Sequence, residues 1–455
     1  MKQAIQRLQE FSIPLIAGVI CAMIWANVGP DSYHALVHTP IHQLGTIFSH
    51  HADGHEAAHA GWEHYLTLHF LINDIFMALF FGIAAKEITE ACLPNGALNP
   101  IKKAINPLFG TIGGVLGPIG MFLLLNGVAG SPAWSRGWGV PTATDIALAW
   151  LVIKFLFGAR HPAVSFLLLL AVADDAIGLG IIALGYPDPA HPTEWMNLLW
   201  CVPGIALAYT LRVRNVANWV PYIALGGAFT WWGLYSAHLH PALALVFIVP
   251  FLPGPNKDLG LFVDDDDYSP GHYHSPLERF EHSLKLYVDF GLFFFALVNA
   301  GVSFGEINGL SWIIVASLIA GKMIGITSFS YVAQKIGFPL PAGMSVPHLV
   351  VTSCVAGLGL TVALFVCGQA FVDPSLQAAA KMGAVFSVAS GAIAFALRSV
   401  LNVPSESAAT VQTAGVSVVS VEEGALLALE SAMDAVNEAL DQQSGAELAT
   451  STSEN

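Results

Sequence analysis

Asp174 and Asp175 stand side by side in AVADDAIGLGII, 171–182, a run otherwise made of alanine, valine, isoleucine, leucine and glycine. Asp74, Asp145 and Lys322 lie in stretches of the same apolar kind. Each such group costs about 2.5–3.5 kcal/mol at the centre of a bilayer on insertion scales, so a chain that keeps five of them has a use for them. Neighbouring residues on a helix point about 100° apart. One of the paired aspartates can therefore face an ion while the other faces an adjacent helix. Lys322, in IAGKMIGI, is the only base in these stretches and the natural partner of one acid. A lock between helices needs one acid per base, and here the acids outnumber the base. Carboxylate oxygens are hard ligands that suit hard cations better than soft metals. In a dry, acid-crowded place a carboxyl group can hold either a proton or a cation near physiological pH, and a lysine there can give up its proton. Competition of a cation and a proton for one site suffices for exchange if that site opens alternately to the two sides of a membrane.

The elements that must position these groups are long apolar helices. Charged residues are 11% of the 455 and hydrophobic residues 55%, with a mean hydropathy of +0.63. An average soluble domain carries about 25% charge. By the rule of about 20 apolar residues per span, there are about twelve runs. They centre near 12–28, 66–90, 105–127, 139–157, 161–185, 194–211, 217–235, 236–252, 284–303, 310–332, 346–371 and 377–400, with 217–252 open to a different split. The pattern predicts an all-α polytopic membrane protein of about twelve transmembrane helices. The first run holds Trp25 and is not followed by a small-residue cleavage site, so it does not read as a cleaved signal. Lys and Arg fall in alternate loops. With Lys2 and Arg7 on the cytoplasmic side, only Arg136 and Lys381 fall on the other side, and Lys322 alone sits inside a run. That bias sets orientation and places both termini in the cytoplasm.

Two runs carry the wrong local chemistry for a continuous helix. In GVPTATDIALAW, 139–150, Pro141, Thr142 and Thr144 lead into Asp145; VAGLGLTVALF, 355–365, holds Gly357, Gly359 and Thr361. They are the fourth and the eleventh runs. If 105–186 and 310–400 are inverted repeats of three helices, each broken helix is the middle one of its unit. Interrupted helices at matching places point to a transporter's binding site. Half-helix ends carry partial charges, and an acid at Asp145 suits a positive N-terminus.

In this order GVPTATDIALAWLV, LAVADDAIGLGIIAL, LVNAGVSF, IAGKMIGI and AGLGLTVALFV closely resemble the NhaA-type bacterial sodium/proton antiporters. INDIFMALFFGIAAKE and SPLERFEHSL match further segments, so the resemblance covers roughly 10–400. It implies a twelve-helix inverted-repeat fold with crossed, discontinuous helices 4 and 11. It also implies electrogenic exchange of Na⁺ or Li⁺ for more than one proton, in a bacterial cytoplasmic membrane. By motif, Asp175 is the implied cation and proton site and Asp174 the partner of Lys322, with which it is an implied second proton carrier. Asp145 balances the half-helix ends, and Thr144 is an accessory ligand. Glu87, Glu281 and His282 match a cytoplasmic funnel tied to pH response, His240 matches a histidine linked to pH sensitivity, and Asp74 matches a supporting acid. Three departures stand out. ADD replaces the family's IDD, KEITEA replaces LEVKRE, and Lys285 stands where the family has a second histidine after the EH pair. The transport set is kept while the pH-sensing set is altered.

Other segments carry other expectations. The histidine-rich stretch 38–70 holds His50, His51, His55 and His59 at spacings that suit one helical face and hence Zn²⁺, Cu²⁺ or Ni²⁺. A solvated loop is the plainer reading, and the resemblance makes this segment the contact of a homodimer. Asp264–Asp267 form an acidic run in a cytoplasmic loop, without EF-hand spacing. The tail 401–455 carries nine acids and no Lys or Arg, which accounts for much of the net charge of −15. It reads as disordered but for a short amphipathic helix near 421–441, with Leu426, Leu429, Met433, Val436 and Leu440 on one face. The five cysteines are odd in number and form no CxxC, so they read as buried thiols, not as a disulfide or zinc framework. No cofactor and no nucleic-acid partner is expected; the partners are membrane lipid, Na⁺ or Li⁺, and protons. Three other readings are a cation-coupled organic-anion symporter of similar architecture, an intramembrane aspartyl protease, and a channel-like or sensor protein that has lost transport, against which the intact Asp174, Asp175 and Lys322 speak. The symporter needs an organic anchor that the sequence does not show. The protease needs a dyad sharing a proton, and no GxGD-like motif is present.

Overall fold

The computed structural model describes residues 12–43, 66–94, 96–98, 101–186, 193–254 and 275–404. The chain divides into two compact units, Met1–Val403 and Pro404–Asn455. All but the first residue of the second unit lies outside the described residues, and with it the amphipathic helix expected near 421–441. The same holds for His50, His51, His55, His59 and the Asp264–Asp267 run.

Among the described residues the chain is helical, with one isolated bridge between Pro40 and Thr67 and no strand. The order is α1 Ile13–Val28, α2 Pro30–His38, α3 Leu68–Cys92, α4 Ile101–Ala129, α5 Pro132–Thr142 (wound as a 3₁₀ helix), α6 Ile146–Phe157 and α7 Pro162–Gly185. There follow α8 Trp195–Val213, α9 222–236, α10 Pro241–Phe251, α11 Pro276–Asn299, α12 Gly309–Lys335, α13 Val346–Val355, α14 Leu360–Ala370 and α15 Pro374–Val400. Six of these are long and apolar enough to cross a membrane, eight with each bent pair counted as one span. The pairs are α5 with α6, bent by 57°, and α13 with α14, bent by 51°. With α1, α9, α10 and α11 they fill the places of the twelve apolar runs, and the split of 217–252 falls at 237–240. This is an all-α polytopic membrane protein.

The helices turn apolar faces outward as well as inward. Ile13, Ile16, Ile20 and Ile24 recur on one side of α1 and are exposed, and the apolar window of α8 is only 17% buried. A soluble helix hides such a stripe, whereas lipid is as apolar as leucine. The same physics corrects one expectation: Cys354 and Cys367 are buried, but Cys21 and Cys92 are exposed and Cys201 is half-buried. In a membrane protein an apolar neighbourhood in sequence does not mean an interior one.

Backbones meet where side chains vanish. Gly113 and Gly117 on α4 face Gly321 and Gly325 on α12, two G-x-x-x-G pairs; a Cβ on Gly117 would lie 2.8 Å from the Gly325 Cα. Small residues at this spacing let membrane helices touch directly. Gly321 closes a π-wound turn, Ser317–Gly321, and Lys322 follows it. Such turns interrupt the regular ladder and often mark functional positions. Here the turn and the glycine contact together carry Lys322 into the interior.

Candidate functional site

The two bent pairs break at 143–145 and 356–359, and the breaks lie against each other. Asp145 N donates to Leu358 O at 2.6 Å. A Cβ on Gly359 would stand 2.8 Å from Ala143 O and 2.7 Å from Leu318 Cδ2, so the approach needs glycine for space. Asp145 serves both half-helices. Its Oδ1 accepts from Leu148 N at 3.1 Å and caps α6; its Oδ2 accepts from Thr361 N at 3.2 Å in the first turn of α14. One carboxylate thus meets two helix N-termini, each of which favours negative charge. The local sequence pointed to one such end and the family resemblance to the half-helix ends together; in the structure Asp145 caps two. Asp145→Ala is expected to lose both caps, about 1 kcal/mol for each and more because the freed N–H groups are buried. Thermal unfolding of the detergent-solubilised protein checks this: a variant as stable as the wild type would remove Asp145 from its capping role.

Beside the crossing, α7 brings Asp174 and α12 brings Lys322. Lys322 Nζ donates to Asp174 Oδ2 at 3.1 Å, and both side chains are 0% exposed. Lys322 also donates to the Thr144 hydroxyl. That hydroxyl lies 2.9 Å from Asp174 Oδ2 and 3.3 Å from Ala356 O. It has one hydrogen, and the shorter contact gives it to Asp174. Thr144, Asp174 and Lys322 therefore form one closed group that joins the first break to α7 and α12. Asp145 is not part of it.

Asp175, one residue along, turns elsewhere. It lines a narrow cleft with Phe81, Ala84, Leu179 and Val362. Asp175 Oδ1 and Asp174 Oδ1 are both buried and have no hydrogen-bond partner among the described residues. Asp174, Asp145 and Lys322 lie within electrostatic reach of Asp175. Buried polar atoms are nearly always paired, so orphans ask for an explanation such as an ion or a catalytic role. Two unpartnered carboxylate oxygens at one crossing are hard donors for a hard cation.

A family model for Na⁺/H⁺ antiporter 1 matches residues 2–398. The chain belongs to this family. A protein of Desulfitobacterium hafniense named Na(+)/H(+) antiporter NhaA is 55% identical over 403 residues, 88% of this chain and 97% of that one. Its namesake in Geobacter sulfurreducens is 51% identical over 403 residues, 89% and 99% of the two chains. That of a Jannaschia species is 42% identical over 408 residues, 84% and 94%.

In this family member the remaining sequence candidates form no hydrogen bond with Asp174, Asp175 or Lys322 among the described residues. Asp74 sits in a π-wound turn, Leu71–Phe76, of α3, where its carbonyl accepts from Trp231 Nε1 at 3.0 Å. It forms no hydrogen bond with the aspartate pair. His240 caps α10, its Nδ1 accepting from Ala242 N at 3.2 Å, and its ring packs on Phe365 of α14. Glu87 and Glu281 do come together, through a residue the sequence reading passed over. Buried Lys86 pairs with Glu87 at 3.4 Å, with Glu90 at 2.8 Å and with Glu281, while Lys285 reaches Glu281 at 3.4 Å. The signal for Glu90 was present as the i,i+4 spacing from Lys86; that for Glu281 was not, since it comes from α11. His282 is exposed beside Glu281. Lys86→Met is expected to leave three carboxylates facing one another without their common cation. The melting temperature should fall most at alkaline pH, where all three are ionised, and the deficit should shrink on acidification. An equal deficit from pH 5 to pH 9 would overturn this.

Proposed function

We propose that this protein exchanges Na⁺ or Li⁺ for protons across a bacterial cytoplasmic membrane, as a multi-pass antiporter with both termini in the cytoplasm. The exchange moves more than one proton per cation and is electrogenic. It serves pH and sodium homeostasis and involves no cofactor and no chemical conversion of a substrate. The observation that carries this reading is the split fate of the aspartate pair. Asp174 is held by Lys322 and Thr144, while Asp175 faces a cleft with one oxygen unpartnered. The names of the relatives support it as well.

Asp175 is the residue at which cation and proton compete. The Asp174 Oδ1 oxygen is the second hard donor. Thr144 acts on the ion through Asp174, whose other oxygen it holds together with Lys322. Asp145 keeps the two half-helix N-termini together, so that the crossing can rearrange without leaving either end bare. Glu87, Glu281 and His282, together with Lys86 and Glu90, set the response to cytoplasmic pH, and His240 sets it on the far side. Asp74 supports the packing of α3. The transport unit is 1–400, with inverted repeats at about 105–186 and 310–400, followed by an acidic cytoplasmic tail. Two copies pair through 38–70. Organic-anion symport draws no support, because Lys322, the cation at the site, is already engaged by Asp174.

The test is purified protein in sealed liposomes with a trapped pH dye. A pulse of Na⁺ or Li⁺ should drive a pH change of the lumen that requires the protein. Silence to both ions across pH 6–9 would overturn the reading.

A further inference from the structure

An aromatic pair borders the Asp175 cleft. Phe81 of α3 lines the cleft, and Phe365 of α14 follows the cleft residue Val362 by one turn. Their rings meet edge to face, 5.1 Å between centroids at 81°, and both side chains are fully buried. This is a favoured aromatic geometry. Behind Phe365 stands His240, its ring 4.6 Å from that of Phe365 at 60°. His69 lies within electrostatic reach of His240, and His38 stacks on His69 at 5.3 Å. Imidazoles therefore lead from the exposed end of α2 to the outer side of the pair, and a carboxylate waits on the inner side. Phe365 packs both on the last of these imidazoles and on Phe81, which lines the cleft.

Resting on the exchange reading above, we infer that Phe81 and Phe365 form the seal that separates Asp175 from the histidine-lined end of the bundle, with His240 as the positioning residue that fixes the ring of Phe365. Exchange requires that an ion or proton cross only while carried at the site. A site open to both sides at once is a leak. Two apposed phenyl rings exclude water and raise the cost of a passing charge, as hydrophobic constrictions do in channels. His240 suits the supporting role because its Nδ1 is occupied by the Ala242 N–H, which fixes the plane of the ring. Phe81 is held from its own helix, where Gly82 lets α3 sit directly on Leu245 of α10. The pair therefore reports on both elements: a shift of α14 against α3 parts the rings and opens the cleft toward His240.

The experiment imposes a pH difference across liposomes containing the protein, with the membrane potential clamped and Na⁺ and Li⁺ absent. Wild type should hold the gradient. Phe365→Ala and Phe81→Ala should dissipate it about tenfold faster, because the void between α3 and α14 admits water beside a carboxylate. Phe365→Leu and Phe81→Leu, which keep most of the bulk, should fall between, and they carry the comparison if the alanine variants do not insert. His240→Ala should leak less than either alanine variant. Adding Asp175→Asn to Phe365→Ala should restore a tight membrane, since the path runs through the cleft. Tight vesicles with the phenylalanine variants would overturn the seal. So would a leak untouched by Asp175→Asn, which would lie elsewhere in the protein. Wild-type exchange on a Na⁺ pulse is read in parallel. A wild type silent to Na⁺ sinks the exchange reading, while the leak assay still decides the barrier.

Discussion

Asp175→Asn is expected to stop sodium-driven proton movement while leaving the protein as stable as the wild type, or more so. The substitution keeps the shape of the side chain and removes both its charge and its proton. The exchange rate should fall by at least about a hundredfold, equivalent to ~2.7 kcal/mol on the barrier. Stability should not follow it down, because Asp175 holds nothing in place. Among the described residues it forms no ion pair, and its Oδ1 is buried without a partner. Burying a charge that is not paired costs free energy, so neutralising one relieves the fold. A structural acid behaves in the opposite way, and this separates the two aspartates. Asp174→Asn should cost stability, since it removes the charge that pairs with Lys322 and leaves a fully buried ammonium facing a neutral amide. Exchange in liposomes and thermal unfolding in detergent, on the same preparation, read both quantities. An Asp175→Asn protein that still answers a Na⁺ pulse would move the site elsewhere.

The division of labour between adjacent aspartates was half legible in the sequence. Two acids one residue apart on a helix must point in different directions, and a single membrane lysine can neutralise only one of them. The helical geometry alone did not say which. The choice depends on where α12 places Lys322, and this follows from a glycine contact between α4 and α12 and a π-wound turn before Lys322. The breaks between α5 and α6 and between α13 and α14 were legible from Pro141 and from Gly357 with Gly359. Their capping by one residue was implied by the family resemblance but not by the local sequence. A sequence shows that Asp145 precedes an apolar helix, but not that the N-terminus of α14 lies within reach of its second oxygen. The Lys86 cluster and the stacking of His161 on His348, at 4.9 Å, are likewise products of packing between distant segments. Burial was the least legible property, because inside a bilayer the usual rule of apolar inside and polar outside loses its force. Cys21 on the outer face of α1 shows this directly.

Lys322→Met should be the most destabilising single change at the site, and pairing it with Asp174→Asn should recover much of the loss. Both partners are fully buried. Removing one partner of such a pair strands the other and costs about 3–5 kcal/mol, whereas replacing both is often neutral. Methionine fills the volume of the lysine stem, so the loss reports on charge and not on a cavity. Thr144 still donates to Asp174 in the single variant, which places the expected cost at the low end of that range. Acidification lets the stranded carboxylate take up a proton, so the deficit of Lys322→Met should narrow from pH 8 to pH 5 while that of the double variant stays flat. Exchange in the double variant then decides what the pair is for. Electrogenic exchange needs a second proton-bearing group beside Asp175. Asp145 does not supply it, because both its oxygens are taken by backbone N–H groups at the two helix ends. Among the described residues, the Asp174–Lys322 pair is what is left at the crossing. The double variant should therefore exchange Na⁺ for protons without moving net charge, so that collapsing the membrane potential no longer changes its rate. A double variant that regains stability and stays electrogenic would reduce the pair to a lock between α7 and α12.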